Sequence, residues 1–269
     1  MRYTVILALP VLVLGLVGPL PTAVLPAAVE HAAGAGPTVA PGQEMTVAQR
    51  QVLFAGADFG RLWRHKPMGN AEDVLNGYYG SDFQRLEFVF TSVQADAKAP
   101  GRYLVAGKFR CYGEVTPFRG SVALQQVQRL ANDVRVYRDG GYVVGPAYCA
   151  TGRFALQSTT RQGLGGQFSG RVALDFQLTP EQRPELASNT DNGTTRRGGL
   201  LFEGSWREYA GAEPVPVLWK QGMAVTRQVF SRFEIGSRDP EINPRYTRVG
   251  WDKLWENDEW WAERKVAKR

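Results

Sequence analysis

The stretch from Gly165 to Leu178 alternates between apolar and polar positions. Its even-numbered positions are apolar and its odd-numbered positions are mostly polar. A period of two with one apolar face is typical of a strand that is half buried in an antiparallel sheet. Short stretches with the pattern of strands, interrupted by glycine, continue across residues 76–220. The pattern therefore predicts an all-β domain.

Two units of this domain repeat each other. Residues 103–109 and 118–124 read Y-x-x-x-G-K-F and F-x-G-x-V-A-L, and residues 148–154 and 168–174 repeat both halves with Arg in place of Lys. Glycine within a strand marks a bend or the close approach of another backbone. Because glycine recurs at the same place in several strands, we expect a strongly bent sheet. An antiparallel meander of about eight strands that closes into a barrel would also remove exposed sheet edges.

Helices are expected only on either side of this barrel. Thr46 can cap a short helix whose apolar positions recur three and four residues apart up to Trp63. Residues 251–269 combine helical spacing of tryptophan with charges of both signs, which predicts an amphipathic terminal helix. We divide the chain into a signal peptide (1–33), a leader with a short helix (34–75), the barrel (76–220) and an Arg- and Trp-rich extension (221–269).

The N-terminal 33 residues have the pattern of a secretory signal. Arg2 precedes an apolar run from Val5 to Leu20, and small residues follow up to Ala33. A retained membrane anchor is the alternative, but Pro10 and Pro19 interrupt the run and it is short for a spanning helix. We therefore expect a secreted or periplasmic protein with no transmembrane span after signal cleavage.

The formal net charge of +6 does not indicate a nucleic-acid partner. Basic residues are scattered along the chain, whereas a nucleic-acid surface concentrates them in a stripe. We expect no nucleic acid among the partners.

The two cysteines, Cys111 and Cys149, are candidates for one disulfide in an exported chain. Closing a loop of this length would stabilise the fold by roughly 4 kcal/mol on the chain-entropy model. The strand pattern argues against the bridge, because Cys111 shares the parity of Phe109 whereas Cys149 has the parity opposite to Tyr148. Both outcomes stay open at this point.

Few residues of the chain are candidates for catalytic groups. The chain has two histidines, and His31 lies within the predicted signal peptide. His65 alone cannot build a multi-histidine metal site, and no nucleophile motif accompanies it. A pair of strand carboxylates, Asp175 and Glu203, could support glycoside chemistry, although solvent-facing strand residues are the simpler interpretation. We assign no catalytic residue, no metal and no cofactor, and expect a protein that is not an enzyme.

Aromatic residues make a stronger case for binding. Those that lie on predicted strands can fill a core or line an apolar pocket, since a barrel of about eight strands can just hold one small ligand. The candidate ligand-binding residues are Tyr103, Phe109, Tyr148, Phe154, Phe168 and Trp206. On the terminal helix, Trp251, Trp255 and Trp261 are the candidate partner-binding residues.

The two repeated units, with their glycines and aromatic residues, resemble in architecture the calycin-type barrels such as lipocalins and avidins. The resemblance implies a barrel that carries a small ligand. We therefore expect an exported, non-enzymatic barrel that binds a small apolar or amphipathic ligand at the cell envelope. The alternative is an envelope structural or interaction protein with a filled barrel, which docks an envelope protein through its Trp-rich terminal helix.

Overall fold

The protein folds as a closed antiparallel barrel of eight strands, which confirms the predicted fold class. The computed structural model describes residues 39–66, 74–138, 141–160, 164–209, 211, 213–221, 228–232, 241–254, 256 and 259–262. The predicted signal peptide and Trp255 lie outside these residues. In chain order the strands are β1 (Leu75–Tyr79), β2 (Gln84–Ala95), β3 (Arg102–Cys111), β4 (Glu114–Arg129), β5 (Val134–Arg138), β6 (Gly141–Gly145), β7 (Tyr148–Ser158), β8 (Gly166–Leu178), β9 (Pro184–Leu186), β10 (Leu200–Glu208), β11 (Val215–Lys220), β12 (Phe230–Arg232) and β13 (Glu241–Ile242).

The barrel strands follow the order β10-β11-β1-β2-β3-β4-β7-β8, and pairing of β8 with β10 closes the circle. Both repeated units of the sequence are hairpins of this barrel, β3–β4 and β7–β8. β8 is long enough to pair with β10 along its first part and with β9 at its end.

Glycines on the inward face allow the strands to bend tightly. Six of them lie within strands where a Cβ would stand about 2 Å from the carbonyl oxygen of a neighbouring strand: Gly77, Gly107, Gly120, Gly152, Gly170 and Gly204. At the tightest of these, a Cβ on Gly152 would meet the oxygen of Ala123 at 1.9 Å. Any side chain here would push the strands apart. This confirms that the repeated glycines mark close backbone approach in a bent sheet.

One end of the barrel is closed by the N-terminal helices. Thr46 and Gln49 form a capping box at the start of α1 (Val47–Gly56), as the sequence predicts for Thr46. The following 3₁₀ turn, Phe59–Leu62, inserts Phe59 against Phe176 with ring centroids 4.8 Å apart. Both helices thereby join the barrel core.

The C-terminal segment, a name used here for the described residues from 228 onward, lies along the outside of β1, β2 and β3. It comprises β12, β13, the short helix α2 (Pro244–Thr247) and a 3₁₀ turn at Trp251–Lys253. The backbone N–H of Arg85 donates to the carbonyl of Val249 (3.0 Å), and Lys108 Nζ donates to the carbonyl of Trp261 (2.7 Å). The sequence predicts an amphipathic helix over residues 251–269; among its described residues, 251–254, 256 and 259–262, the structure has a 3₁₀ turn at Trp251–Lys253 and no α-helix.

A hairpin of β5 and β6 extends from the barrel as a separate two-stranded sheet. Residues 139 and 140, which come between these two strands in sequence, lie outside the described part of the chain. Gln177 anchors the base of the hairpin, since the side-chain amide donates to the carbonyls of Val134 and Gly145, both at 2.8 Å.

Candidate functional site

The six predicted ligand-binding aromatics all lie in one packed core. Their exposed fractions range from 0% to 6%, and they belong to a single apolar cluster. The rings of Phe109 and Phe168 meet edge to face at 4.9 Å. Binding of a small ligand by these six residues stays a prediction, and it would require the packed core to open.

Trp219 is at the centre of this core, and the sequence did not single it out. Its ring is stacked between those of Phe88 (4.1 Å) and Phe202 (5.1 Å) and is fully buried. Phe154 packs edge to face on the same indole at 5.1 Å. These contacts fill the middle of the barrel with side chains.

Tyr103 joins the core to the N-terminal helices. Its hydroxyl accepts a hydrogen bond from the backbone N–H of Phe59 (3.1 Å). Burial raises the pKa of Tyr103 to about 12, so the hydroxyl stays protonated. This bond supports closure of the barrel at this end.

The C-terminal tryptophans are engaged within the chain. Trp251 is fully buried beside Tyr246, and its Nε1 donates to the carbonyl of Phe83 at 2.7 Å. Trp261 is 8% exposed and packs on Val74 and Val89. Docking of a partner through these indoles stays a prediction, and it would require the segment to leave the barrel surface.

Cys111 and Cys149 do not form the candidate disulfide, because both are free buried thiols. Along β4, Cys111 is paired with Glu114 and Cys149 with Gln128. These two partners are separated by roughly 40 Å of strand, whereas a disulfide needs Cα atoms within about 7 Å. Burial raises the pKa of both thiols, so neither is poised as a nucleophile.

A polar cluster outside the core forms around Asp175. This residue lies on the outer face of β8 and is fully buried. The segment 187–199, here called the polar loop, covers it. Its carboxylate accepts hydrogen bonds from the Thr190 hydroxyl, the Thr195 hydroxyl (2.7 Å) and the Asn192 amide (2.8 Å). The burial is thereby matched by donors that all come from one loop.

Backbone contacts complete this attachment of the polar loop. Asp175 N–H donates to the carbonyl of Gly199 (3.0 Å), and Ala187 N–H donates to the carbonyl of Asp175 (2.8 Å). The loop adopts left-handed backbone at Asn189 (φ 58°) and Arg196 (φ 54°). Such conformations persist only where the surroundings fix them. Asp175 therefore holds the loop in a specific shape.

Lys220 extends the cluster at the end of β11. It is 2% exposed, and its Nζ donates to the carbonyls of Thr195 (2.7 Å) and Arg196 (2.9 Å). Burial lowers the pKa of Lys220 to about 8, while the nearby Asp175 opposes that shift. A second buried group thus fastens the same loop.

The polar loop forms one wall of a groove of about 600 Å³. The other wall is the base of the β5–β6 hairpin. We call this the polar groove; it is lined by Gly42, Gln128, Leu130, Ala131, Asn132, Asp133, Val134, Arg135, Asn189, Thr190, Asp191, Asn192 and Gly193. Thr190 and Asn192 connect it directly to Asp175. The buried carboxylate therefore sets the shape of an exposed polar surface.

The structure does not bring Asp175 and Glu203 into one catalytic pair. Glu203 lies across from Arg171 in the β8–β10 pairing, four residues from Asp175, which corresponds to roughly 13 Å of strand. Glu203 accepts from Arg171 (2.6 Å) and Arg196 (2.6 Å) at the surface. Burial of Asp175 differs from the solvent-facing position that the strand pattern suggested. Ala173 and Gln177, which share its face, are buried as well, so this part of the outer face of β8 is covered.

Among the described residues of the chain, no group of three or more His, Cys, Asp or Glu side chains is placed to hold a metal ion. No helix within them is both long and apolar enough to cross a membrane.

Comparison with known proteins assigns no relative. No protein-family model matches the chain, and neither a curated protein nor a solved structure matches it significantly. The resemblance to calycin-type barrels therefore stays one of architecture, and arguments about function must come from the site itself.

Proposed function

We propose that this chain is an exported, non-enzymatic binding protein that acts from the outside of a filled barrel. The polar groove would contact a component of the cell envelope. The observation that carries this proposal is the attachment of the polar loop to Asp175, a fully buried carboxylate. Export rests on the signal-like pattern of residues 1–33.

Burying a charged carboxylate costs free energy. The effective penalty is several kcal/mol per ion, and replacement by apolar residues often stabilises a protein. Such a group is better explained by the conformation that it specifies than by the stability that it adds. Here the specified element is a surface loop, and surface loops on rigid scaffolds commonly carry binding function.

The packed core favours this proposal over a ligand inside the barrel. Aromatic contacts around Trp219 occupy the space that a carrier would leave for its ligand. The groove is also favoured over partner docking through the C-terminal segment, because Trp251 and Trp261 are buried by their own chain. The groove is a surface that a partner can reach without rearrangement.

Co-sedimentation with insoluble envelope material from the producing cells tests this proposal. The full mature chain is compared with a double variant, Asn132→Ala with Asn189→Gly, which removes two exposed amides from the groove. Glycine is chosen at 189 because the backbone there has a positive φ. Gln157→Ala is the matched control, since Gln157 lines a separate groove beside Tyr209.

We expect the double variant to lose most of its co-sedimentation and the control to keep it. Equal sedimentation of all three proteins would refute the polar groove as the binding surface. Saturable, one-to-one binding of an apolar fluorescent probe such as N-phenylnaphthylamine, unaffected by the groove variant, would instead support a ligand inside the barrel.

A further inference from the structure

The chemistry of the polar groove narrows what it can bind. Three asparagines, Asn132, Asn189 and Asn192, contribute side chains to its lining. The amides of Asn132 and Asn189 each have donors on the nitrogen and an acceptor on the oxygen, whereas the Asn192 amide donates to Asp175 and accepts from the Thr194 N–H. A hydroxyl group also donates and accepts, so closely spaced hydroxyls can satisfy both ends of such amides.

Charge in the groove is close to balanced. Asp133 is paired with Arg129 at 3.1 Å, and Asp191 and Arg135 add one charge of each sign to the lining. The groove is therefore near neutral in a chain whose net charge is +6. Carboxylates in the lining accept hydrogen bonds from hydroxyls and repel phosphate or sulfate groups.

The lining is held in place before any ligand arrives. The Asn192 amide is fixed by Asp175 at 2.8 Å, and Thr190 is 1% exposed with its hydroxyl on the same carboxylate. Asn189 directly precedes Thr190, so its backbone lies beside this attachment while its side chain is exposed. A preformed set of polar groups lowers the conformational cost of binding.

From these observations we propose that the polar groove binds an uncharged, hydroxyl-rich ligand of the saccharide class. This inference rests on the proposed function and specifies its ligand. Hydroxyls of the sugar would exchange hydrogen bonds with the exposed amides of Asn132 and Asn189. The open groove would admit a segment of a longer chain.

The test is binding of the full mature chain to a glycan array that carries neutral and anionic oligosaccharides, followed by calorimetric titration of the best neutral binder. We expect neutral glycans to bind, and the double variant Asn132→Ala with Asn189→Gly to weaken binding by about tenfold or more. The Gln157→Ala control should bind like the unmodified chain.

Three outcomes would overturn the ligand class: binding of anionic glycans alone, binding of no glycan, or neutral binding that the double variant leaves unchanged. The first two are distinguishable from failure of the proposed function. If co-sedimentation with envelope material still depends on Asn132 and Asn189, the groove binds a partner of another chemistry and only the saccharide assignment fails.

Discussion

Two carboxylates are buried on the outside of the barrel under two different coverings. Asp175 lies beneath the polar loop, and Glu87 lies beneath the C-terminal segment, with exposed fractions of 0% and 4%. Asp175 accepts its side-chain hydrogen bonds from neutral hydroxyl and amide groups of the loop. Glu87 accepts from two arginines of the barrel itself, Arg85 at 2.8 Å and Arg110 at 2.6 Å.

This difference separates two uses of a buried charge. Removing the Asp175 carboxylate would loosen the polar loop, because three of the donors to that carboxylate come from the loop. Glu87 neutralises cations that the strands themselves carry. Those arginines in turn contact the C-terminal segment, since Arg85 donates to the carbonyl of Gly250 (3.3 Å) and Arg110 lies over the ring of Trp260. We infer that Asp175 orders a binding surface, whereas Glu87 serves the stability of the barrel wall and of the segment packed on it.

The largest effect should come from Glu87→Gln. The substitution removes the buried carboxylate that Arg85 and Arg110 share, and breaking a buried ion pair in this way costs about 3–5 kcal/mol. We expect that loss in the free energy of unfolding, measured by urea denaturation. A loss below about 1 kcal/mol would show that water reaches these arginines and would remove the contrast with Asp175.

Asp175→Asn should cost less, about 1–2 kcal/mol. The Thr190 and Thr195 hydroxyls can rotate to accept from the new amide, and Asn192 can still donate to its oxygen, so most hydrogen bonds survive. Hydrogen exchange should increase within residues 187–199 and stay unchanged in the C-terminal segment. If exchange in the polar loop does not change, the loop is held by its backbone contacts and the carboxylate is not its organiser.

The barrel could be predicted because its signals are local. Alternation from Phe168 to Leu178 and the repeated glycines report which face of each strand is inward, whatever the partner strand is. The parity argument against a Cys111–Cys149 bridge was sound for the same reason. Whether the barrel interior is open could not be predicted from the sequence, because it depends on how side chains from all eight strands pack together.

The polar groove could not be predicted in this way. Asp175 occupies the polar face of its strand in sequence, and only the position of the loop about 15 residues later makes it buried. Lys220 joins the cluster from a strand that is still further along the chain. Single-strand periodicity carries no information on what covers the outer face of a barrel.

Lys220 gives the Asp175 cluster a pH dependence of its own. Its pKa of about 8 in the folded protein lies below the ordinary value near 10.4, so between these values the unfolded chain binds more protons. Unfolding free energy should therefore rise with pH there. Relative to Lys220→Met, the unmodified chain should gain about 1 kcal/mol from pH 7.5 to 9, as measured by urea denaturation at each pH.

Comparison with the Met variant is needed because tyrosines such as Tyr103 titrate at higher pH in both proteins and cancel in the difference. Asp175 and Arg196 are the charged groups that act on Lys220, in opposite directions. A difference that stays flat or falls over this range would mean that the Lys220 amine keeps its proton in the folded state, and that the cluster contains a full buried ion pair.

The smallest loss of unfolding free energy should come from Glu203→Gln. This variant tests whether burial explains the large loss expected for Glu87→Gln. Glu203 is also held by two arginines, Arg171 and Arg196, but its side chain is 29% exposed and theirs are 57% and 47% exposed. Solvent and salt screen such pairs, so we expect a loss below about 1 kcal/mol that shrinks further in 1 M salt. Glu203 therefore has the same kind of partners as Glu87 without the burial. A loss as large and as salt-independent as that of Glu87→Gln would mean that two arginines around one carboxylate determine the energy, and that the coverings of the barrel wall do not.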